Sequence, residues 1–233
     1  MTLRALSQTP FAARLMEGQS THGVSLGHGH LLFPIGVLSL TRPGEPRMPN
    51  GIECALPVPE IHEPVRVGEG RLECGCGTVY TGTTWHPRPR PRFRVSTHPS
   101  LPLRDLLAMA GQGPGLTPLA DDIVAGYLGA RALFGVGRSA AVALAGTLAA
   151  QTTSLSGTLL RLAAHGHLPE AAHHLLEDGE PGPLLNWGAS SGSGLLVGLG
   201  LYRPASWPDV VQRLDLTLPL DLPRLRVEIR PAA

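Results

Sequence analysis

The spacing of apolar residues divides the chain into two parts. Between residues 22 and 85, short runs such as "VSLGHGHLLFPIGVLSL" mix β-branched residues with Gly, Pro and Asn, which is typical of strands joined by tight turns. Later stretches, such as "LADDIVAGYLGARALFG" and "RSAAVALAGTLAAQTTSLSGTLLRLAAHG", have helical apolar spacing and end in glycine. We therefore predict an α+β protein, with a small sheet or partial barrel packed on a mostly helical C-terminal part.

Two segments indicate the boundaries of these parts. In "HPRPRPRFRVSTHPS", residues 86–100, prolines at alternate positions prevent both a helix and a central strand. The tail "LDLTLPLDLPRLRVEIR" alternates apolar and polar residues, as a strand pair returning to the sheet would. The predicted parts are a β-rich part at 1–98, a helical part at 99–205 and C-terminal strands at 206–233.

Composition narrows the function classes. Of the 233 residues 42% are hydrophobic but only 4% aromatic, so Leu, Val, Ala and Ile must build the core. Charged residues make up only 16%, which suggests a surface covered by other subunits or by copies of this chain. All 19 basic residues are arginine. The lack of lysine excludes Schiff-base and pyridoxal-phosphate chemistry and a Walker-type phosphate loop.

Charge and cysteine content predict the compartment. The net charge of +1 provides no general attraction to nucleic acid or to a membrane surface. Three cysteines are too few and too close together for a disulfide framework, which favours a reducing environment. Because no apolar run suits a signal peptide or a membrane span, we expect a cytoplasmic protein.

The segment "GQGPGLTPLADD", residues 111–122, combines a glycine-rich loop with a helix start. Three glycines in five residues indicate unusual backbone dihedral angles or the close approach of a ligand. Thr117 suits the N-cap of the following helix, and Pro118 suits its first position. The glycines are Gly111, Gly113 and Gly115.

Asp121 and Asp122 then fall in the first helical turn, near the positive end of the helix dipole. The N–H groups of a loop leading into a helix form an anion site, but two carboxylates would repel the anion. A divalent cation between them, or amide donors on the ligand, would remove this conflict. The residues therefore predict either a Mg²⁺-bound phosphate or an amide-bearing anion, unless the segment is only a stable helix start.

This segment resembles the GxGxGLTPSGDD signature of the AllH-like family, long catalogued as a domain of unknown function and linked to the third subunit of oxamate carbamoyltransferase. Leu119 and Ala120 stand where the family usually has Ser and Gly. The positions that match are Gly111, Gly113, Gly115, Leu116, Thr117, Pro118, Asp121 and Asp122.

A second segment, "GASSGSGLLVG" at 188–198, resembles the family's later GHTSGxDxLxG motif. Ala189 and Gly194 replace the usual His and Asp, and Ser190 is a conservative match for Thr. A looser third match is "PNGI" at 49–52. The identical positions of the second motif are Gly188, Ser191, Gly192, Leu196 and Gly198.

The resemblance implies a subunit of a complex that moves a carbamoyl group between phosphate and an amide such as oxamate, in purine and allantoin catabolism. It implies carbamoyl phosphate or oxamate as the ligand, bound by the loop N–H groups. Thr117 and Ser191 would donate hydrogen bonds, and Asp121 and Asp122 would bind the amide or Mg²⁺. The candidate catalytic residues are Thr117, Asp121 and Asp122, and the candidate ligand-binding residues are Gly111, Gly113, Gly115, Ser190, Ser191 and Gly192.

The alternative is a non-catalytic binding or assembly subunit with a degenerate site. Leu119, Ala189 and Gly194 favour this alternative, because they stand where the family usually has Ser, His and Asp and so remove polar side chains from the site.

Three further patterns have a functional and a structural interpretation. His28 and His30 would share a strand face that could hold a metal, although ordinary turn or strand histidines are favoured. Two cysteines in "CGC", Cys74 and Cys76, could supply thiolates, but small residues in a tight turn are favoured. An arginine stripe with period two could bind nucleic acid, but a solvated, proline-blocked edge is favoured. Its members are Arg88, Arg90, Arg92 and Arg94.

Overall fold

A computed structural model describes residues 2–55, 61, 63–92, 108–134 and 138–201. They form two compact units, the first ending at Pro87 and the second beginning at Arg88. The first unit is a curved sheet with one helix, and the second is helical, which confirms the α+β prediction. The predicted strand pair at 206–233 and the predicted boundary near residue 98 lie outside the described residues, and the three-part division stays a prediction.

A ten-stranded sheet forms the described part of the first unit, in the order β1-β9-β8-β7-β3-β4-β5-β6-β2-β10. Only Ala5 and Leu6 separate β1 from β2, although β1 lies at one edge of the sheet and β2 next to the other. The sheet must therefore curl back on itself, which gives the predicted partial barrel. Its strands are Thr2–Arg4, Ser7–Gln8, Thr21–Gly27, His30–Phe33, Gly36–Thr41, Gly51–Glu53, Val65–Gly68, Arg71–Cys74, Gly77–Tyr80 and Thr83–Thr84, numbered β1 to β10.

Helix α1, Pro10–Glu17, lies in a segment for which the apolar pattern predicted no element. The hydroxyl of Thr9 accepts a hydrogen bond from the N–H of Ala12 at 3.2 Å, and Pro10 occupies the first helical position. This Thr-Pro pair was the available sequence signal. The helix places Met16 in the core of the sheet, beside fully buried residues such as Leu31.

Two turns of the sheet decide the interpretation of the His and Cys patterns. His28 lies in the turn between β3 and β4 with φ of 49°, while His30 lies on β4, so the prediction of a shared strand face is wrong. His28 belongs to the turn because β3 ends at Gly27 and β4 begins only at His30. Cys76 lies in the turn between β8 and β9, next to Cys74, which confirms small residues in a tight turn.

The described helices of the second unit follow the predicted helical stretches, except that Gly182–Leu185 lies in a segment for which no helix was predicted. The stretch from 138 to 166 differs, because it breaks at 150–153 into two helices instead of running continuously. The helices are α2 Leu119–Leu133, α3 Arg138–Ala149, α4 Ser154–Ala163, α5 Glu170–His173 with a π-helical turn at His174–Asp178, α6 Gly182–Leu185 and α7 Ser191–Gly200. No helix among these described residues is long and apolar enough to cross a bilayer.

Helix α2 is the centre of this unit, and α7 packs directly on its main chain. A Cβ atom on Gly198 would overlap the carbonyl oxygen of Ile123, and one on Gly126 would overlap the carbonyl oxygen of Leu195. Near the helix starts, Gly194 lies beside Asp122. The contacts advance in the same direction along both helices, so α2 and α7 are parallel and their N-termini lie at the same end.

Arg88 and Arg92, two members of the arginine pattern, contact residues of the helical unit. The guanidinium group of Arg88 donates to the carbonyl oxygens of Ala132 and His165, at the C-terminal ends of α2 and α4. A cation at these positions is favourable because of the helix dipole. Arg92 lies 3.8 Å from Asp178, while Arg94 lies outside the described residues. Two of the predicted stripe residues thus have structural partners.

Candidate functional site

The glycine-rich loop adopts the unusual backbone conformation expected from its composition. Gly111, Gly113 and Gly115 have φ of +74°, +122° and +94°, where residues with a side chain are strained. A Cβ atom on Gly111 would lie 2.7 Å from the carbonyl oxygen of Gln151, whereas one on Gly115 would meet nothing within 4 Å. The loop is therefore packed at its first glycine and open at its third.

The carboxylate of Asp121 is used within the protein. This residue is 2% exposed, and its Oδ1 accepts a hydrogen bond from the N–H of Gly111 at 2.7 Å. Its Oδ2 accepts a hydrogen bond from the hydroxyl of Thr152. Asp121 thus ties the glycine-rich loop to the break between α3 and α4. Sequence reasoning missed Thr152, because the stretch around it was interpreted as one helical run.

We expect Thr152→Val to loosen the glycine-rich loop, since it removes one of the two hydrogen bonds to the Asp121 carboxylate. Hydrogen bonds to charged groups contribute about 1.5–3 kcal/mol, so amide exchange at Gly111 should accelerate at least roughly tenfold. Hydrogen–deuterium exchange of the loop would measure this change. Thr152→Ser keeps the hydroxyl and is the matched control. Equal exchange in both variants would contradict a clamping role for Thr152.

Thr117 connects the two predicted loops instead of capping a helix. Helix α2 begins at Leu119, with Pro118 at the N-cap position and no side-chain cap, so the predicted N-cap role of Thr117 is wrong. Pro118 has φ of −52° and ψ of 138°, which is not helical, and the helix therefore starts one residue later. The Oγ1 atom of Thr117 lies 3.0 Å from the Oγ atom of Ser191, the first residue of α7. Asp121 lies in the first turn of α2, as predicted.

A third helix start lies beside the same loop. The hydroxyl of Thr153 accepts from the N–H of Ser156 at 3.1 Å and caps α4. It also donates to the carbonyl oxygen of Leu116, within the glycine-rich loop. The N-termini of α2, α4 and α7 therefore lie beside the end of the loop, at Leu116 and Thr117. Helix N-termini carry partial positive charge, so this arrangement favours an anion.

Asp122 has different surroundings from Asp121. It is 4% exposed, and its Oδ2 atom has no hydrogen-bond partner. Burial raises the pKa of Asp122 to about 8, against the effect of a hydrogen bond with Ser191 and with a further increase from the Asp121 carboxylate. Asp122 is therefore protonated at neutral pH. This removes one of the two negative charges that would repel an anion.

Two departures from the family signature occupy the same space. A Cβ atom on Gly194 would lie 2.8 Å from the Cβ of Asp122 and 2.8 Å from the Cδ1 of Leu119. Leu119 is itself buried. A side chain at position 194 would therefore have to displace both Asp122 and Leu119, so the start of α7 approaches α2 closely here.

The remaining candidates have different surroundings. Ser190 precedes α7 but makes no side-chain cap. Gly192 is required by packing, because a Cβ atom there would overlap the carbonyl oxygen of Leu184. Asn50, from the third motif, lies in the first unit and donates to the carbonyl oxygen of Val37 at 2.8 Å. Of the predicted residues, the structure brings together Thr117, Ser191, Asp121, Asp122 and the glycine-rich loop.

The predicted Mg²⁺ role of Asp121 and Asp122 does not fit the donors that the structure provides. Both oxygens of Asp121 accept hydrogen bonds from within the protein, so neither is a free ligand for Mg²⁺. Within the described ranges, no group of three or more His, Cys, Asp or Glu side chains is arranged to hold a metal ion.

The second unit is thus helical, and three helix N-termini meet at the end of its glycine-rich loop. Residues 109–202 match the model of a family described as oxamate carbamoyltransferase subunit AllH. The match includes both motifs of the helical part, and it confirms for these residues the resemblance seen in the sequence. No curated protein and no solved structure matches the chain.

Proposed function

We propose that this chain is a subunit of a carbamoyltransferase-type complex, and that loops 111–122 and 188–192 bind a small anion bearing an amide. Carbamoyl phosphate and oxamate both meet this description. The observation that carries the proposal is the meeting of Thr117 and Ser191 at the start of two parallel helices, within the part matched by the family.

The charges near the loop support an anionic ligand. The carboxyl group of Asp121 is occupied by the two hydrogen bonds that it accepts, and Asp122 is protonated at neutral pH. Three helix N-termini and the N–H groups of the glycine-rich loop then dominate the local field. The phosphate or carboxylate end of the ligand binds these N–H groups, where Gly115 leaves open space.

The amide end has its own partners in this proposal. Thr117 and Ser191 can each donate and accept a hydrogen bond, and the Oδ2 atom of Asp122 is buried without a partner. A carbamoyl or oxamate group offers both a carbonyl oxygen and N–H donors to such a set. The contribution of these residues to group transfer is positioning and electrostatic stabilisation.

The second candidate is a binding or assembly subunit without catalytic function. The observation that favours it is the packing of Leu119 against position 194, which leaves an apolar contact where the family has polar residues. In this case the chain keeps its place in the complex, and the site binds no ligand.

A thermal-shift experiment separates the two candidates. The protein is titrated with carbamoyl phosphate, oxamate, MgCl₂ and buffer alone. A ligand at about 100 times its Kd stabilises by about 2.7 kcal/mol, which corresponds to a Tm rise of several degrees. Ser191→Ala should abolish the rise. Ser193→Ala, two residues further along the same helix, should retain the rise in Tm and is the matched control.

The same thermal-shift experiment also tests the assembly role and the position of the site. No shift with either ligand, for a chain that co-purifies with other carbamoyltransferase subunits, would establish the assembly role. A shift that survives Ser191→Ala would place the ligand elsewhere and contradict the proposed site. A shift with MgCl₂ alone would contradict the metal-free description of Asp121 and Asp122.

A further inference from the structure

The turn between β8 and β9 brings two thiols together. Cys74 is the last residue of β8 and pairs with Gly77, the first residue of β9. Cys76 lies in the intervening turn. The Sγ atoms of Cys74 and Cys76 are 3.1 Å apart, and both cysteines are partly exposed thiols that are not in a disulfide.

The local contacts hold this pair in place. The thiol of Cys74 donates to the carbonyl oxygen of Gly77 at 3.3 Å, which leaves its sulfur available as an acceptor for Cys76. Both cysteines also pack against the core of the sheet. A disulfide requires the two sulfur atoms to approach to about 2.05 Å, so the Sγ atoms have to move about 1 Å closer together.

We propose that Cys74 and Cys76 form a redox-active dithiol that reacts with small organic disulfides. This site lies in the first unit and does not depend on the proposed ligand site of the second unit. Cys54 does not share this property, because it is 0% exposed. Thiol–disulfide exchange needs access of the reagent to a thiolate.

The reaction takes two steps. The thiolate of one cysteine attacks a small disulfide, RSSR, forms a mixed disulfide and releases RS⁻. The thiolate of the second cysteine attacks the protein sulfur of this mixed disulfide, forms the Cys74–Cys76 bond and releases a second RS⁻. The two protons lost by the cysteines are taken up by the two RS⁻ groups. The dithiol is thus oxidised by two electrons, and RSSR is reduced to two RSH.

The test uses the full chain and oxidised glutathione, under conditions in which Cys54 remains unmodified. Free thiols are then alkylated under denaturing conditions, and the protein is digested with trypsin. Because trypsin does not cleave before proline, peptide 72–92 contains Cys74 and Cys76, while peptide 48–66 contains Cys54. Mass spectrometry should show peptide 72–92 with the mass of two hydrogens lost, no alkyl group and no glutathione.

Single variants provide the matched comparison. In Cys74→Ser and in Cys76→Ser the second step is impossible, so the remaining cysteine should keep one glutathione, which dithiothreitol removes. The wild-type measurement is sufficient by itself if either variant fails to fold. A wild-type peptide 72–92 that carries two alkyl groups, or a lasting glutathione adduct, would overturn the proposal.

Discussion

Asp122→Asn should increase the free energy of unfolding at neutral pH and should leave it almost unchanged near pH 4. Burial raises the pKa of Asp122 in the folded protein to about 8, while in the unfolded chain the carboxyl has its ordinary value near 3.8. The pKa is higher in the folded protein than in the unfolded chain. The contribution of this carboxyl to the free energy of unfolding is therefore greatest below about pH 4. The contribution falls as pH rises, because only the unfolded chain ionises, and it is lost by about pH 8.

Each pKa unit corresponds to about 1.36 kcal/mol, so the gain in the Asn variant at pH 7 should be on the order of a few kcal/mol. Urea unfolding of wild type and variant from pH 4 to pH 8 would measure it. The same substitution at the neighbouring residue, Asp121→Asn, should destabilise the protein. Its amide group cannot accept hydrogen bonds from both Gly111 and Thr152. A less stable Asp122→Asn protein at pH 7 would mean that Asp122 is ionised in the folded state.

Gly198→Ala should disrupt the packing of α7 on α2 and destabilise the helical unit by about 3 kcal/mol or more. The added Cβ would overlap the carbonyl oxygen of Ile123, which belongs to the main chain and cannot move aside like a side-chain terminus. Because this contact also places Ser191 beside Thr117, the variant should lose ligand-dependent stabilisation as well. Thermal unfolding followed by circular dichroism, with and without ligand, would measure both effects.

Gly146→Ala is the matched control for this prediction. Gly146 lies within α3, where an added Cβ meets nothing within 4 Å. Alanine has a higher helix propensity than glycine, so this variant should gain about 0.5–1 kcal/mol. A Gly198→Ala protein as stable as the Gly146→Ala protein would contradict the close approach of the two helices.

Much of the fold follows from local signals in the chain. The change from strand-like to helical spacing predicts the α+β class, and the clustered glycines predict the unusual loop backbone. The two segments that resemble motifs of the AllH-like family also predict that Thr117 and Ser191 belong to one site. The structure places their hydroxyl oxygens 3.0 Å apart. Each of these features depends on residues that are close in sequence or that share a known motif.

The charge state of the site could not be predicted in this way. Asp121 and Asp122 are adjacent in the sequence and both are buried, yet both oxygens of Asp121 accept hydrogen bonds, while the Oδ2 atom of Asp122 has no partner and the pKa of Asp122 is raised to about 8. The difference depends on Thr152 and on α7, which are distant along the chain. The pair "TT" at 152–153 did carry a readable N-cap signal for α4, but the apolar spacing on both sides concealed the break.

The main-chain contacts at Gly126 and Gly198 also limit how the helical unit can move. Two helices whose backbones touch cannot slide or change their crossing angle without steric overlap, whereas helices separated by long side chains can. A displacement of the start of α2 would therefore move α7 as well, so that the two helices would shift as one body. The displacement would extend to the C-terminal ends of both helices, at Leu133 and Gly200.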